Sequence, residues 1–455
     1  MSENSTSLPF AVKAGWAIGE LAIAAFVVLQ MAFMLYYCTE ALHIPPAVAG
    51  LALLIPRLLD AFADPLMGAI SDRTHSSMGR RRLYLLIGAP LLGLAFASVF
   101  FVPPEAPLAL RVGLLVAAFM ASNAAVTIYE VPYSAMAAEM TKSYKERTSL
   151  TGYKMFAARL GGVVSAFSAP LIFGSQSSLT DGFRLLGLCV GIFMVVTGLW
   201  AFVATARAPR IEQTPQRFSL REEVAAVLEN RSFCTLWVAF LLQNLAIGAA
   251  ATTLIYFVTQ VMRVQPQQAG MFMASGGLVA LIATPIWVMV GRNIGKRLGY
   301  FCGLGLVAAM AIPALFLVPG QASILLIVLI IAGIGDAATQ LFPNAMAPDT
   351  VEVDELNSGL RREGAIFGAW GFCRKLGMTG GAFLVSLALA AIHFVPGAAP
   401  DAQPSEAVAG IRMIYAALPL GLWIATMLAF SRYDLTEARF EAIKAEIRAN
   451  AGGAR

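Results

Sequence analysis

The chain has 455 residues, of which 58% are hydrophobic and 13% are charged, and its formal net charge is +5. Soluble domains carry about a quarter charged residues, because their whole surface must meet water. The low charged fraction and the mean hydropathy of +0.73 exclude an ordinary soluble protein and indicate that most of the surface contacts lipid. The basic residues lie in loops between apolar runs, so the positive charge does not indicate nucleic-acid binding.

Apolar runs long enough to cross about 30 Å of hydrocarbon recur along the whole chain. The first is too long for the hydrophobic region of a signal peptide, so we interpret it as a retained helix. The sequence predicts an all-α membrane protein with twelve spans. The approximate spans are 12–37, 46–70, 84–102, 110–137, 151–174, 183–205, 233–260, 268–291, 299–318, 323–346, 365–392 and 410–432.

Lysine and arginine are concentrated in alternate loops between these spans. The loops around 73–82, 142–147 and 292–297 are basic, whereas residues 102–107 and 318–323 contain neither lysine nor arginine. Because basic loops stay in the cytoplasm, this alternation predicts that both termini are cytoplasmic.

The longest polar interruption, residues 206–232, divides the spans into two groups of six. The motif GAISDRTHSSMGRRR follows the second span, and VGRNIGKRLGY follows the eighth, which is the equivalent position in the second group. Two parallel six-helix pseudo-repeats around a cytoplasmic loop resemble the architecture of the major facilitator superfamily. We predict an N-terminal bundle over 1–205, a C-terminal bundle over 233–432 and a helical cytoplasmic tail over 433–455.

Two carboxylates occupy one face of the second span, in LLDAFADPLMG. Asp60 and Asp64 are one helical turn apart, and Arg57 lies one turn before Asp60. Ionisable groups inside hydrocarbon are costly, so they mark a functional site or a paired structural role. Oxygen ligands suit hard cations, and the pair therefore predicts a site for Na⁺ or a proton. The alternative is that Asp60 only forms a structural ion pair with Arg57.

Further ionisable groups lie in other spans. Glu130 follows Thr127 by one turn in AAVTIYEVPYSAM of the fourth span; the alternative is that Glu130 reaches the cytoplasmic interface. Glu20 in the first span and Arg159 in the fifth are weaker signals of the same kind.

The eleventh span contains two adjacent cations, Arg374 and Lys375, in WGFCRKLGMTGG. Small residues around them allow close approach of another helix. At this depth the two cations need carboxylate partners, for which the acidic groups of the second and fourth spans are candidates.

A second set of charges lies at the predicted cytoplasmic helix ends and in the loop PDTVEVDELNSGLRREG. Such charges are usually only solvated, but their mixed signs also suit ion pairs that close the cytoplasmic side, although exposed pairs contribute little singly. The residues assigned to this gate are Asp72, Arg73, Arg147, Asp349 and Arg361.

Three motifs together resemble the glycoside–pentoside–hexuronide:cation symporters, the melibiose-permease type of the major facilitator superfamily. They are DAFADPLMGAISDRTHSSMGRRR, TIYEVPYSAM and the stretch from MAPDTVEVDE through RREGAIFGAWGFCRKLGM. The resemblance covers essentially the whole chain, and the motifs stand in the same order and spans as in that family.

The resemblance implies roles for individual residues. Asp60 and Asp64 match the paired cation-site aspartates, Thr127 matches a further ligand, and Lys375 matches a lysine that joins this carboxylate cluster. Asp349, Arg147 and Arg361 match cytoplasmic gating charges, and Glu130 matches an acidic substrate contact. The residues assigned to substrate binding are Glu130, Glu20, Lys154, Arg159, Gln340 and Arg374.

The substrate site departs from the galactoside transporters that the chain resembles. Ala24 stands in place of an aspartate, and Met155 in place of an arginine, although Lys154 is adjacent. Ser134 and Gln340 stand where those transporters have tryptophans. The cation site is therefore expected to be complete, while the substrate stays open.

Three functions are compatible with these observations. The first is cation-coupled symport of a glycoside or related sugar by alternating access. The second is a carrier of a lysolipid or other amphiphile, since the lysophospholipid symporters of animals share the paired aspartates. The third, a membrane enzyme or receptor, is disfavoured by missing nucleophile and metal motifs. We expect a monomer in a bacterial-type inner membrane that binds a small solute and a monovalent cation, with no cofactor and no nucleic acid.

Overall fold

The computed structural model describes residues 8–141, 143–209, 229–358 and 362–453. Their regular secondary structure is helical, and no strand occurs among the described residues. The first six helices are α1 (Phe10–Ala32), α2 (Pro46–Arg73), α3 (Arg82–Val99), α4 (Leu108–Met140), α5 (Tyr144–Phe173) and α6 (Leu179–Ala204). The others are α7 (Arg231–Tyr256), α8 (Ala269–Ala314), α9 (Ala322–Met346), α10 (Asp349–Ser358), α11 (Glu363–Ala391), α12 (Ser405–Phe430) and α13 (Glu437–Gly453).

Prolines mark the beginnings of several long helices. Pro45 precedes α2, with Pro46 at its first position, and Pro107 precedes α4. Proline is favoured there, because the first backbone N–H groups of a helix have no partner within it. Wide, π-helical turns extend two other helices, α1 through Tyr37–Ala41 and α7 through Phe257–Val261.

Eleven helices of the described residues are long and apolar enough to cross a membrane. One of them, α8, has 46 residues and bends at Gly295, whose φ of 79° lies outside the helical region. Its two arms correspond to the predicted spans 268–291 and 299–318. The eleven helices therefore supply the twelve predicted spans, which confirms the all-α membrane architecture.

The expectation that residues 349–358 form a loop is wrong, because they form α10. Asp349 and Glu352 lie in its first turn, where negative charge stabilises the positive end of the helix dipole. Val351 and Val353 are buried against a cluster that includes Ile443 of α13. The sequence predicted a loop because most residues of this segment are polar or charged, and its few apolar residues gave no helical signal. The predicted tail helix is present as α13.

The helices form two compact units. The first contains α1 to α6 together with the segments Arg263–Ala274 and Leu389–Pro404. The second contains α7, most of α8, and α9 to α13 apart from the end of α11. The two extra segments thus belong to the first unit, although in the sequence they lie in the second half.

Close helix contact in the first unit depends on small residues. A side chain on Gly93 of α3 would lie 2.4 Å from the carbonyl oxygen of Gly191 of α6, so neither position has room for one. In membranes, where apolar side chains gain little by leaving lipid, such backbone proximity supplies much of the packing energy. In the second unit, Phe240 of α7 stacks on Trp370 of α11 with ring centroids 3.8 Å apart.

Candidate cation and solute site

Two prolines and two aspartates shape the middle of α2. Pro56 and Pro65 lie inside the helix, and Pro65 has no N–H to donate to the carbonyl of Ala61. Asp60 is buried and Asp64 is half-buried. Two carboxylates and a backbone oxygen that accepts no hydrogen bond from residue 65 therefore lie within about one turn of each other.

Helix α4 packs on α2 and completes this group. The buried Thr127 hydroxyl of α4 donates a hydrogen bond to Asp64 Oδ1 at 3.1 Å. The structure therefore brings together three of the four residues predicted to bind the cation.

Arg57 belongs to the same group. Its Nη1 lies 3.6 Å from Asp60 Oδ2, and the guanidinium interacts electrostatically with Asp60, Glu130 and Asp64. The structural ion pair considered from the sequence is therefore present. We call Arg57, Asp60, Asp64, Thr127 and Glu130 the α2–α4 cluster.

The α2–α4 cluster contains more negative than positive groups. Its three carboxylates and one guanidinium leave two negative charges when all four groups are ionised. In a medium of low dielectric constant, like charges at short range cannot all ionise at low cost. Binding a proton or a metal cation lowers this electrostatic cost. Among the described residues no group of three histidine, cysteine or carboxylate side chains has the arrangement of a metal site.

Two buried amides that the sequence analysis missed extend this cluster, one in contact with Arg57 and the second in contact with the first. The Arg57 guanidinium donates to Gln30 Oε1 of α1, and Gln30 Nε2 donates to Asn123 Oδ1 of α4 at 3.4 Å. Both amides lie in long apolar runs, and their polarity at that depth was the signal that could have identified them.

A second polar group joins α1, α4 and α5. The Lys154 ammonium lies 3.6 Å from Glu20 Oε2, donates to Ser134 Oγ at 2.8 Å and lies 5.4 Å from the centroid of the Tyr133 ring. Tyr133 stacks on Trp16, with ring centroids 5.0 Å apart. We call Glu20, Lys154, Ser134, Tyr133 and Trp16 the α1–α5 cluster.

The α1–α5 cluster combines an ion pair with a hydroxyl group above an aromatic stack. Glu20, Tyr133 and Trp16 are buried, whereas the Lys154 side chain is 26% exposed. Lys154 and the half-buried Ser134 are therefore the accessible polar groups of the cluster, and the Lys154 ammonium is able to donate to a hydroxyl or a carboxylate of a solute.

The remaining predicted solute and cation residues are distributed over both units. Arg159 is half-buried on α5 of the first unit. In the second unit, Gln340 of α9 and Lys375 of α11 are half-buried and Arg374 is exposed. The carbonyl of Gln340 accepts a hydrogen bond from Asn344 at 2.6 Å.

Each predicted gate carboxylate has an ion-pair partner inside its own unit. Asp72 pairs with Arg81 at 2.7 Å in the first unit. Asp349 pairs with Lys296 at 2.6 Å in the second unit. Neither partner was singled out from the sequence, because both lie in basic segments that were predicted to be cytoplasmic loops and were explained by membrane orientation alone.

The structure describes two of the three arginines that were predicted to belong to the gate. Arg147 Nε donates to the Thr141 carbonyl at 3.1 Å, and Arg73 is exposed at the end of α2. Arg361 lies outside the described residues.

A comparison with known protein families identifies the family to which this chain belongs. The profile of the MFS/sugar transport protein family matches residues 15–437. The chain belongs to the MFS/sugar transport protein family. Membership confirms the resemblance to the glycoside–pentoside–hexuronide symporters, and it makes the protein a multi-pass membrane transporter and not an enzyme.

Members of this family from several bacteria are similar to the chain over nearly its full length. A symporter of Synechocystis is 28% identical, and the match covers 98% of each chain. A glucuronide carrier protein homolog of Escherichia coli is 26% identical over 95% of this chain and 94% of its own. The isoprimeverose transporter of Lactiplantibacillus pentosus is 23% identical over 96% and 91%.

Solved transporters share the fold. A bacterial homolog of the human lysosomal transporter Spinster, crystallised in an inward-facing, unoccupied conformation, superposes with a TM-score of 0.65. It covers 94% of this chain and 98% of its own, at 14% sequence identity. At that identity the likeness concerns the fold alone.

Proposed function

We propose that this secondary transporter couples the uptake of a sugar-type solute to a monovalent cation, Na⁺ or a proton, in the inner membrane. The observation that carries the proposal is the excess of carboxylates in the α2–α4 cluster. Arg57 is shared among three acidic groups, and Thr127 directs a hydroxyl onto Asp64. Groups of this kind are rare in membrane helices and mark ion pathways.

The cation has a physical role in this scheme. When it binds, it removes the repulsion between Asp60 and Asp64, which lets Arg57 and Thr127 keep one arrangement. Because Glu130 belongs to the same electrostatic group, a change at the aspartates alters the charge next to a residue assigned to the solute. Coupling then follows if the cation-only form crosses the membrane poorly while the empty and the doubly loaded forms cross easily.

A sugar is the solute class that the family supports best. The relatives named above include a glucuronide carrier homolog and an isoprimeverose transporter. The α1–α5 cluster offers Lys154 as a donor beside Ser134, which suits a solute rich in hydroxyl or carboxylate oxygens.

The test uses the detergent-purified protein and its Asp64→Asn variant. A ligand that binds only the folded state raises the thermal midpoint, so midpoints are measured in sodium or choline chloride at pH 5.5 and 7.5. Glycosides, uronides, pentosides and lysolipids are then added singly. We expect a cation-dependent shift that a sugar-type solute enlarges, and we expect Asp64→Asn to lose the cation-dependent part.

Asp181→Asn is the matched control, because Asp181 is an exposed aspartate at the start of α6 that pairs with Arg184. It should retain the full cation response. A sodium response identifies sodium coupling, and a response to pH alone identifies proton coupling. A cation response that survives Asp64→Asn would contradict the proposal. A thermal shift with lysolipids only would show that the solute is an amphiphile and not a sugar.

A further inference from the structure

A large cavity lies in the first unit and shares no lining residue with the α2–α4 and α1–α5 clusters. It has a volume of about 770 Å³ and is bounded by the loop between α2 and α3, the end of α4 and the residues that follow α6. This volume lies within the range of about 300–1,000 Å³ that is typical of pockets for small ligands. Its loop carries the basic motif expected on the cytoplasmic side.

The walls of the cavity carry three consecutive arginines, Arg80, Arg81 and Arg82, and two carboxylates, Asp72 and Glu139. Counted as ionised groups, they leave one positive charge. The loop adds the exposed His75 to the same lining. The lining therefore carries a formal charge of +1, and two of its three arginines form ion pairs with its carboxylates.

The two carboxylates fix the arginines in position. Arg80 Nη2 lies 2.5 Å from Glu139 Oε1, and Arg81 lies 2.7 Å from Asp72 and 3.3 Å from Glu139. The Arg82 guanidinium donates to the Phe202 carbonyl at 2.7 Å and lies 4.4 Å from the centroid of the Phe202 ring. Since these side chains are already ordered, an anion that binds here does not have to order them.

Hydroxyl groups and apolar side chains complete the lining. Thr74, Ser76 and Ser77 of the loop line the cavity together with Met136 and Met140 of α4. Guanidinium and hydroxyl donors together suit the oxygens of a phosphate group. The methionines suit an apolar part of the same ligand.

We propose that this cavity binds a phosphate-bearing anion, with the headgroup of an anionic phospholipid as the favoured source. Basic pockets between membrane helices on the cytoplasmic side bind such headgroups. The apolar wall on α4 favours a lipid over a soluble phosphate. The proposed lipid site shares no residue with the α2–α4 cluster, so binding there can be tested separately from cation binding.

The test measures the thermal midpoint and the number of bound lipids by native mass spectrometry, on the full chain in detergent. The probes are phosphatidylglycerol, phosphatidylcholine and inorganic phosphate. We expect phosphatidylglycerol to raise the midpoint more than phosphatidylcholine does. Arg80→Gln should weaken its binding about tenfold, as the loss of a charge-assisted hydrogen bond implies. Arg80→Lys should restore part of the affinity.

Arg292→Gln is the matched control, since Arg292 is exposed on α8, is not a lining residue of the cavity and loses the same charge. Should Arg80→Gln fail to fold, Ser77→Glu adds a negative charge at an exposed position, with Ser175→Glu as its control. A phosphate response equal to that of phosphatidylglycerol supports the site and assigns it to a soluble ligand. Equal losses in the cavity variants and their controls, or no preference for either anionic probe, would overturn the proposal.

Discussion

At the residue scale, the structure shows how Asp60 and Asp64 differ although they share a helix face. Arg57 approaches Asp60 to 3.6 Å, whereas Asp64 receives the hydroxyl of Thr127. The structural and functional interpretations of Asp60 are therefore compatible, because one arginine cannot neutralise the whole cluster. Asp64 is expected to be the more sensitive of the two to cation binding.

Thr127 gives a direct test of that arrangement. Thr127→Val keeps the shape of the side chain but removes the hydroxyl, and we expect it to weaken cation affinity about five- to tenfold, as the loss of one hydrogen bond implies. Thr127→Ser keeps the hydroxyl and should keep most of the affinity. The measurement is the cation concentration that gives the half-maximal thermal shift. Equal affinities in the valine and serine variants would exclude Thr127 as a ligand.

A buried glutamate outside the spans predicts a pH dependence of stability. Glu40, in the wide turn that extends α1, is 7% exposed, and burial raises its pKa from 4.5 to about 7. The Gly397 N–H donates to Glu40 Oε1 at 3.4 Å and opposes this effect only in part. The folded state therefore favours the protonated carboxyl.

The sign of the pH effect follows from the raised pKa. The contribution of Glu40 to stability is complete below pH 4.5 and is lost as the pH rises through about 7. The loss corresponds to about 3 kcal/mol at most. The thermal midpoint should fall between pH 5 and pH 8, and Glu40→Gln should reduce that fall. Glu105→Gln, at an exposed loop position, should leave the fall unchanged; equal pH slopes in wild type and Glu40→Gln would contradict the prediction.

At the element scale, the bend in α8 depends on one glycine. Gly295 has a φ of 79°, a backbone angle that residues with a side chain rarely adopt. It separates the two arms of α8. Gly305 and the other glycines of the second arm lie in ordinary helical geometry. The bend reverses the chain so that one helix of 46 residues supplies two spans.

Gly295→Ala should therefore destabilise the protein by about 1–3 kcal/mol, the cost of placing an L-residue in a backbone conformation that is essentially confined to glycine. Gly421→Ala in α12 is the control, because a methyl group there contacts nothing within 4 Å. The control should leave the thermal midpoint unchanged or raise it slightly, since alanine favours helix over glycine. Equal midpoints for Gly295→Ala and wild type would show that the bend does not require glycine.

At the scale of the whole molecule, the alternation of basic loops predicts the orientation in the membrane. In a chain whose exposed cysteines Cys189 and Cys302 are replaced by serine, Ser77→Cys should react with a membrane-impermeant maleimide only after the cells are permeabilised. Glu105→Cys should react in intact cells. The reverse pattern would contradict the predicted orientation of both termini.

The sequence by itself determined the spans, since transfer from water to lipid depends on the composition of each segment and hardly on its partners. It also placed Asp60, Asp64 and Arg57 on one face, because helical periodicity is local. Tertiary structure decided which side chains meet, such as Thr127 with Asp64 and Lys154 with Glu20. These pairs join different helices, so no spacing in the sequence encodes their contact.

Two further features were also decided by tertiary structure. The segments Arg263–Ala274 and Leu389–Pro404 lie in the first unit, although both come from the second half of the sequence. Helix α10 is stabilised by packing of Val351 and Val353 in a cluster shared with α13, and its own composition is too polar to predict it. In both cases burial against residues distant in the chain outweighs the local signal, because packing is a property of the assembled bundle.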